Sequence, residues 1–453
     1  VAAEAQAAAR RLAPAAGVML QAVWFDAGAG AQGRLLLSVH HLAVDGVSWR
    51  ILTPDLAAAA GAIAAGREPE TEPVGTSFRQ WARLLEAYAL SPAVAGELAV
   101  WTGLLQAPAT PLVAVPLDPA RDVAGSAAHF GLTLPAPLTR ALLTRVPAAF
   151  HAGIDEVLLS GLAVALLGRR DGAGSSADAV LIDVEGHGRA EIAGADLSRT
   201  VGWFTSLHPI RVAAGALDIA SAQSGGLAIG RALKAFKEQL RAVPGRGLGY
   251  GLLRHLDPAA GPRLAGLAAP QVLFNYLGRQ AGGTGVDWSE APEADELGSG
   301  CDPRQPLTHA LEINAVTRDG AEGPTLEATW TYAPALLERG EVEALAQSWF
   351  RALEGFVRHA AEPGAGGLTP SDLGLLALSQ DEIEALEGRF GALEDILPLT
   401  PLQEGLLFHA LYEGEGADVY TVQFELDLDG ALEAARLEAA VAALVARHSA
   451  LRA

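Results

Sequence analysis

Apolar and polar positions follow two alternating patterns along the first 125 residues. Short apolar runs at 18–25 and 34–39 are typical of strands. Alanine-rich or amphipathic segments with helical spacing occur at 2–12, 54–65 and 78–89. Because strands and helices alternate in sequence, we predict an α/β fold for this region.

A second region with the same alternation is predicted from 126 to 362, after a polar loop that we interpret as the crossing between two lobes. An apolar helix is predicted at 154–167, and an amphipathic helix closes the region at 342–360. Apolar strands are predicted at 179–184, 272–274 and 326–332.

The composition changes after residue 362. Glycine, proline and acidic residues at 363–393 are typical of a linker with one short acidic helix. From 394 to 453 the pattern predicts a helix, a strand at 420–428 and a second helix. We interpret this last segment as the N-terminal fragment of a following domain.

Charge and cysteine content limit the possible functions. Acidic residues outnumber basic ones by 53 to 32, a net charge of -21 that repels phosphate backbones, so we expect no nucleic-acid partner. The sequence has no apolar run of about 18 residues, and its first residues do not resemble a signal peptide. Cys301 is the single cysteine, which excludes an intrachain disulfide and a cysteine-based zinc site. We expect a cytoplasmic protein without membrane contact.

Lysine is nearly absent from the chain. Lys234 and Lys237 are the two lysines, and both lie in a segment with helical periodicity. We predict that they lie on a solvated helix face, which argues against Schiff-base chemistry.

The first cluster of candidate chemistry follows a predicted strand. His40 and His41 end the strand, and Asp45 and Gly46 come next as a predicted turn. Imidazole titrates near neutrality, so His41 is a candidate general acid or base. The alternative is a core histidine bonded to a carbonyl. For Asp45 we favour a structural role, in which it holds the turn and pairs with an arginine.

A second cluster, at 185–189, also follows a strand. Glu185 is the candidate, because a carboxyl buried at a strand end would have a raised pKa and could exchange a proton near neutral pH. The alternative is an ordinary solvated strand end. His187 and Arg189 are expected to shape the loop.

A third cluster contains Asn275 and Tyr276. Both side chains can donate hydrogen bonds to a carbonyl or an oxyanion, although they can equally well pin the end of a strand. The glycine-rich stretch at 245–251 follows a helix and has no Gly-Lys-Ser/Thr, so it supports nucleotide binding only weakly. The histidines form no His-Glu-x-x-His pattern, and we expect no metal.

The clusters together resemble a known family. Residues 40–49 resemble the HHxxxDGxSW signature of condensation-type domains of nonribosomal peptide synthetases. Residues 185–189, 199–205, 244–251 and 274–278 are similar to the epimerization motifs in order and approximate spacing. Residues 397–410 and 447–452 resemble the opening motifs of a further condensation domain.

The resemblance implies a two-lobed α/β fold similar to chloramphenicol acetyltransferase, with the active site between the lobes. It implies inversion of the Cα of an aminoacyl or peptidyl thioester. An upstream peptidyl carrier protein domain would carry this substrate on phosphopantetheine, and a condensation domain would follow downstream. This chain would bind no cofactor itself. Amide-bond condensation and inactive carrier docking remain alternatives.

For the site, the resemblance makes His41 and Glu185 the catalytic pair. Residues expected to support them are His40, Asp45, Gly46, Asn275 and Tyr276. The family's opening motifs are absent, so residues 1–362 are expected to be an epimerization domain that lacks its N-terminal part. If the arginine partner of Asp45 lay in that part, Asp45 would be buried without a partner.

Overall fold

The structure is a computed structural model that describes residues 1–28, 30, 32–169, 179–224, 226, 228–280, 287–289, 291, 302–412 and 420–452. Cys301 lies outside the described residues. The chain divides into two compact units, Val1–Asp395 and Ile396–Ala453, and the candidate site residues all belong to the first unit.

The described helices and strands alternate through the first unit, as the sequence predicts. The strands are β1 Leu20–Phe25, β2 Arg34–Val39, β3 Ala128–Leu134, β4 Ala179–Gly186, β5 Ser206–Ala213, β6 Val272–Gln280, β7 Leu311–Gly320 and β8 Gly323–Tyr332. The helices before β4 are α1 Ala2–Arg11, α2 Gly46–Ala64, α3 Phe78–Ala89, α4 Pro92–Gln106, α5 Ala136–Phe150 and α6 Ile154–Leu167. Those after β4 are α7 Ile219–Gln223, α8 Ala228–Arg241, α9 Leu248–His255, α10 Ala260–Ala265, α11 Arg339–His359 and α12 Gln380–Phe390.

The described strands form one antiparallel pair and one larger sheet. β1 and β2 form the pair, and the six remaining strands have the order β3-β8-β7-β6-β4-β5. In the middle of the large sheet β4, β6 and β7 run parallel, while the strands at both sides are antiparallel. Glu185 of the second cluster lies one residue before the end of β4. The third cluster, predicted to follow a strand that ends at 274, lies instead within β6, where Asn275 and Tyr276 pair with Asn314 and Ala315 of β7.

The main hydrophobic core covers one face of the large sheet. Helices α5, α6, α8 and α11 supply it, and α6 is apolar on all sides because it is enclosed between the sheet and α11. Residues at alternate positions of β4, such as Val180 and Ile182, point into this core. The intervening positions of β4 therefore point to the opposite face.

A second, smaller core joins the two predicted lobes. Trp101 of α4 is fully buried and packs with Leu252 and Leu253 of α9. Helices α3 and α4 precede the lobe boundary predicted at 125, and α9 follows it. The two regions thus share a core within the first unit.

The segment predicted as a linker at 363–393 is packed against the first unit, which extends to Asp395. The Gly367 amide donates to the Ala149 carbonyl over 2.9 Å, and Leu368 and Ile383 are buried. Glycines here allow close backbone contact with α5, so this segment is packed and not a free connection.

The prediction for the two lysines is also wrong. The Lys237 side chain is fully buried, and its Nζ lies 2.7 Å from both the Phe150 carbonyl and the Asp372 carboxylate. Lys234 is 8% exposed and faces Glu384 and Glu387. The acidic residues of the 363–395 segment provide the partners that make burial of this helix face possible.

The second unit contains the helices α13 Pro401–Tyr412 and α14 Ala434–Arg447. The strand predicted at 420–428 is wrong, because these residues form no strand and pair with none among the described residues. Val422 and Phe424 are exposed in this unit. A segment with alternating apolar residues forms a β-strand only where a neighbouring strand is available to pair with it.

Among the described residues, no single helix has the length and apolar character to span a membrane. Helices α5 and α6 meet these criteria only together, as a pair bent by 95°.

Candidate active site

The two histidines that follow β2 have different environments. Nδ1 of His40 accepts a hydrogen bond from the Leu42 amide at 3.2 Å, which turns its ring back onto the chain. His41 begins a short 3-10 turn, and its exposed ring lies 5.0 Å from the Trp203 ring. His41 is thus the histidine that remains open to a ligand, while His40 holds the turn.

Asp45 begins a helix and not the predicted turn. It is the N-cap of α2, with Gly46 as the first helical residue, and its carboxylate accepts from the Ser48 amide at 2.8 Å. The helix predicted to start at 54 therefore starts eight residues earlier and continues through Pro54. A Cβ at Gly46 would meet no atom within 4 Å, so space alone does not require glycine there.

The arginine partner of Asp45 is Arg189, so Asp45 is not buried without a partner. The guanidinium binds both carboxylate oxygens, at 2.6 and 3.1 Å, and both side chains are buried. The Phe204 amide adds a hydrogen bond of 3.2 Å to Asp45. Burial raises the pKa of Asp45, but hydrogen bonds from Arg189 and Ser48 outweigh it and lower the pKa below its usual value. Asp45 thus pairs with an arginine and caps α2, and its function in supporting the site stays a prediction.

The loop after β4 brings Arg189 to Asp45. The Arg189 amide donates to Nδ1 of His187 at 3.1 Å, so His187 shapes the loop as predicted. Gly188 has φ +62°, and a Cβ there would lie 1.6 Å from the Phe204 carbonyl oxygen. This position therefore requires glycine.

Glu185 lies one residue before the end of β4, on the sheet face opposite the main core. Burial raises the pKa of this carboxyl, and the nearby Glu312 carboxylate raises it further. Positive charge on His41 and His309 acts in the opposite direction. The expected rise in pKa is present, and His41 is near enough to Glu185 to affect its charge.

Asn275 and Tyr276 lie on opposite faces of β6. Asn275 is on the Glu185 face, where its Nδ2 donates to the Asn314 side chain at 3.2 Å. Tyr276 packs against the main core, with its hydroxyl 2.9 Å from Thr317 Oγ1. The structure therefore brings Asn275, but not the Tyr276 hydroxyl, to the face that carries Glu185.

Sequence reasoning gave no function to Trp203 and did not identify the buried pair Asp183–His309. Trp203 lies within the motif at 199–205, which was a usable signal for its contact with His41. His309 lies far from any motif, and nothing in the sequence indicates its contact with Asp183. Within the described ranges, no group of three or more His, Cys, Asp and Glu side chains is arranged to hold a metal ion.

Comparison with known proteins identifies the family. The condensation-domain family matches residues 5–373 and 393–453. The chain therefore belongs to the condensation-domain family, and it is a condensation-type domain of nonribosomal peptide synthetases. The resemblance found in the sequence is thus confirmed.

Two relatives illustrate the similarity. The chain is 39% identical to a linear gramicidin synthase protein of Brevibacillus parabrevis over 96% of its own length, and it spans 8% of that protein. It is 35% identical to chondramide synthase of Chondromyces crocatus over 89% of its length, spanning 10% of that synthase.

Solved structures confirm the fold. The epimerization domain from the third module of tyrocidine synthetase B is 29% identical, with a TM-score of 0.67 over 79% of this chain and 76% of that one. A condensation-domain structure from the enacyloxin polyketide synthase, at 22% identity, has a TM-score of 0.56 over 81% of this chain and 65% of that one. The predicted two-lobed α/β fold of condensation domains is confirmed.

Proposed function

We propose that the chain epimerizes the Cα of an aminoacyl or peptidyl thioester carried on the phosphopantetheine of an upstream carrier domain. The observation that carries the proposal is Glu185, a half-buried carboxyl whose pKa is raised by burial. Positive charge on His41 lowers this pKa, so the two groups interact electrostatically. The similarity to the tyrocidine synthetase epimerization domain supports the same reaction.

The chemistry requires two groups that exchange protons. The Cα proton of a thioester is weakly acidic, so a base must remove it while the developing enolate is stabilised. Inversion then needs protonation on the opposite face of Cα. We assign these two functions to His41 and Glu185, without deciding which of them removes the proton from the L isomer.

The supporting residues have distinct functions in this proposal. Asp45 and Arg189 fix the start of α2 and therefore the turn that carries His41. His40 holds the same turn through its bond to Leu42. Asn275 offers an amide on the Glu185 face for the thioester carbonyl, while Tyr276 acts indirectly by anchoring β6 to β7 through Thr317.

Amide-bond condensation is the alternative in the same family, and it would use His41 to orient an amine. It gives no function to a protonatable carboxyl at Glu185, which is why we favour epimerization. An inactive domain that only docks a carrier is the remaining alternative, and it needs neither residue.

Exchange of the Cα proton tests the proposal. The full chain is mixed with a carrier domain loaded with an aminoacyl thioester in D2O, and deuterium at Cα is followed by mass spectrometry. We expect exchange and a mixture of L and D products, with Glu185→Gln and His41→Ala each slowing exchange about 100- to 10,000-fold. Absence of exchange would exclude epimerization, and amide formation with a second loaded carrier would then support condensation.

A further inference from the structure

A buried, hydrogen-bonded Asp–His pair lies close to Glu185 and has no function in the reaction described above. Nε2 of His309 is 2.9 Å from the Asp183 carboxylate, and the two residues are 5% and 8% exposed. Asp183 precedes Glu185 by two positions in β4, so both carboxyls point to the same face of the sheet.

A chain of hydrogen bonds continues from the other side of the His309 ring. Nδ1 lies 3.0 Å from Thr308 Oγ1, and this hydroxyl donates to Glu312 over 3.3 Å. A hydroxyl has one hydrogen, so Oγ1 that donates to Glu312 can only accept from Nδ1. An imidazolium at His309 would satisfy both contacts, because it donates from Nε2 to the Asp183 carboxylate and from Nδ1 to Thr308 Oγ1.

The acidic groups around His309 determine what a positive charge on its ring would do. Asp183 and Glu185 from β4 and Glu312 from β7 place three carboxyls on this side of the sheet. His41 faces Glu185 from the turn after β2, and Tyr250 of α9 faces Asp183. A cation at His309 offsets the mutual repulsion of the carboxylates.

We propose that His309 is a positioning residue that sets the charge on Glu185, and that Asp183 and the Thr308–Glu312 chain hold it as an imidazolium. His309 touches no reacting atom in this arrangement. Its effect on catalysis rests on the proposed function, whereas its effect on the Glu185 carboxyl does not.

The direct test measures the Glu185 carboxyl. In the full chain, 13C NMR follows the titration of Glu185, assigned by the loss of its signal in Glu185→Gln. His309→Gln keeps a donor for Asp183 but cannot carry the positive charge of an imidazolium, so we expect the pKa of Glu185 to rise. His129→Gln is the matched control, because His129 is exposed on β3 at the far side of the sheet.

The pH profile of activity provides a second measurement, and a purely structural effect of the substitution would not shift this profile. The pH profile of Cα exchange should shift on its acidic side by the same amount, and in the same direction, as the Glu185 titration. An unchanged Glu185 titration in a folded His309→Gln protein would overturn the proposal. So would 15N shifts that show wild-type His309 as neutral over the range in which Glu185 titrates.

Thr308→Val keeps the proposal testable if His309→Gln does not fold. Valine removes the hydroxyl between His309 and Glu312 and leaves the pair with Asp183 in place, so we expect a smaller rise in the pKa of Glu185. A fall in that pKa would contradict the proposal. If the wild type shows no Cα exchange, epimerization fails, while the NMR titration still decides the function of His309.

Discussion

Asp45 and Arg189 form a buried, bidentate ion pair between residues that are 144 positions apart in sequence. Asp45 caps the helix that follows the His41 turn, and Arg189 lies four residues after Glu185. The pair therefore ties together the two elements that carry the proposed catalytic groups. Its integrity decides both the stability of the unit and the placement of His41 relative to Glu185.

Arg189→Ala should destabilise the protein by about 3–5 kcal/mol, because it leaves the Asp45 carboxylate buried without its partner. Urea denaturation at pH 7 measures this loss. The double variant Asp45→Asn/Arg189→Ala should recover part of it, since no charge remains unpaired. Equal stability of the single and double variants would contradict this account.

The same pair predicts a pH dependence. The pKa of Asp45 is lowered in the folded state, so its contribution is present above its ordinary pKa of 3.8 and is lost as the pH falls through the folded value. We expect the free energy of unfolding of the wild type to fall in this acidic range. The Asp45→Asn variant should show a smaller fall, which urea titrations at several pH values would detect.

Glu185→Gln should separate stability from activity. The pKa of Glu185 is raised in the folded state, so the ionised carboxylate opposes folding once the pH exceeds its ordinary value of 4.5. At pH 7 the variant should be at least as stable as the wild type, although its Cα exchange is slow. Greater stability of the wild type at pH 7 would show that Glu185 has a stabilising partner in its ionised form.

Trp203→Ala should slow Cα exchange by about 10- to 100-fold, because the Trp203 ring limits the orientations of His41. The change should appear in kcat more than in KM if the effect is on orientation. Trp24→Ala is the control, since Trp24 is 63% exposed on β1. The same loss of rate in both variants would rule out a specific function for Trp203.

Gly188→Ala should destabilise the first unit by about 1–3 kcal/mol or more, because it combines a left-handed backbone with a contact against the Phe204 carbonyl. Thermal unfolding measures the effect. Gly61→Ala in α2 is the control, since a Cβ there meets no atom within 4 Å and alanine favours the helix. A stable Gly188→Ala protein would mean that the loop after β4 can adopt another path.

The sequence was sufficient to predict several of the elements, but it missed β3, β5 and β7 and the partners of the site residues across the chain. β2 and α3 occur as predicted, because their apolar periodicity is unambiguous. The start of α2 was missed, because Asp-Gly is also a common turn and the cap is decided by the Ser48 amide. The partners Arg189 and His309 depend on tertiary contacts, which local periodicity does not encode.

The two lysines also show that burial cannot be predicted from local periodicity alone. A helix face with Lys234 and Lys237 has the pattern of a solvated surface, and only the acidic groups of a distant segment reveal that it is buried. Composition alone also could not show that this segment packs against the first unit, because glycine is equally common in close backbone contacts and in flexible connections.

The packing of residues 363–395 against the first unit determines where this domain can be joined to another in a chimera. A junction placed in the glycine-rich stretch around 363–367 would separate Asp372 from Lys237 and leave an unneutralised ammonium group inside the parent domain. A junction after Asp395 keeps that anchor with the domain it stabilises. Chimeras joined at the later position should therefore retain the thermal stability of the parent domain, whereas those joined at the earlier one should unfold at a lower temperature.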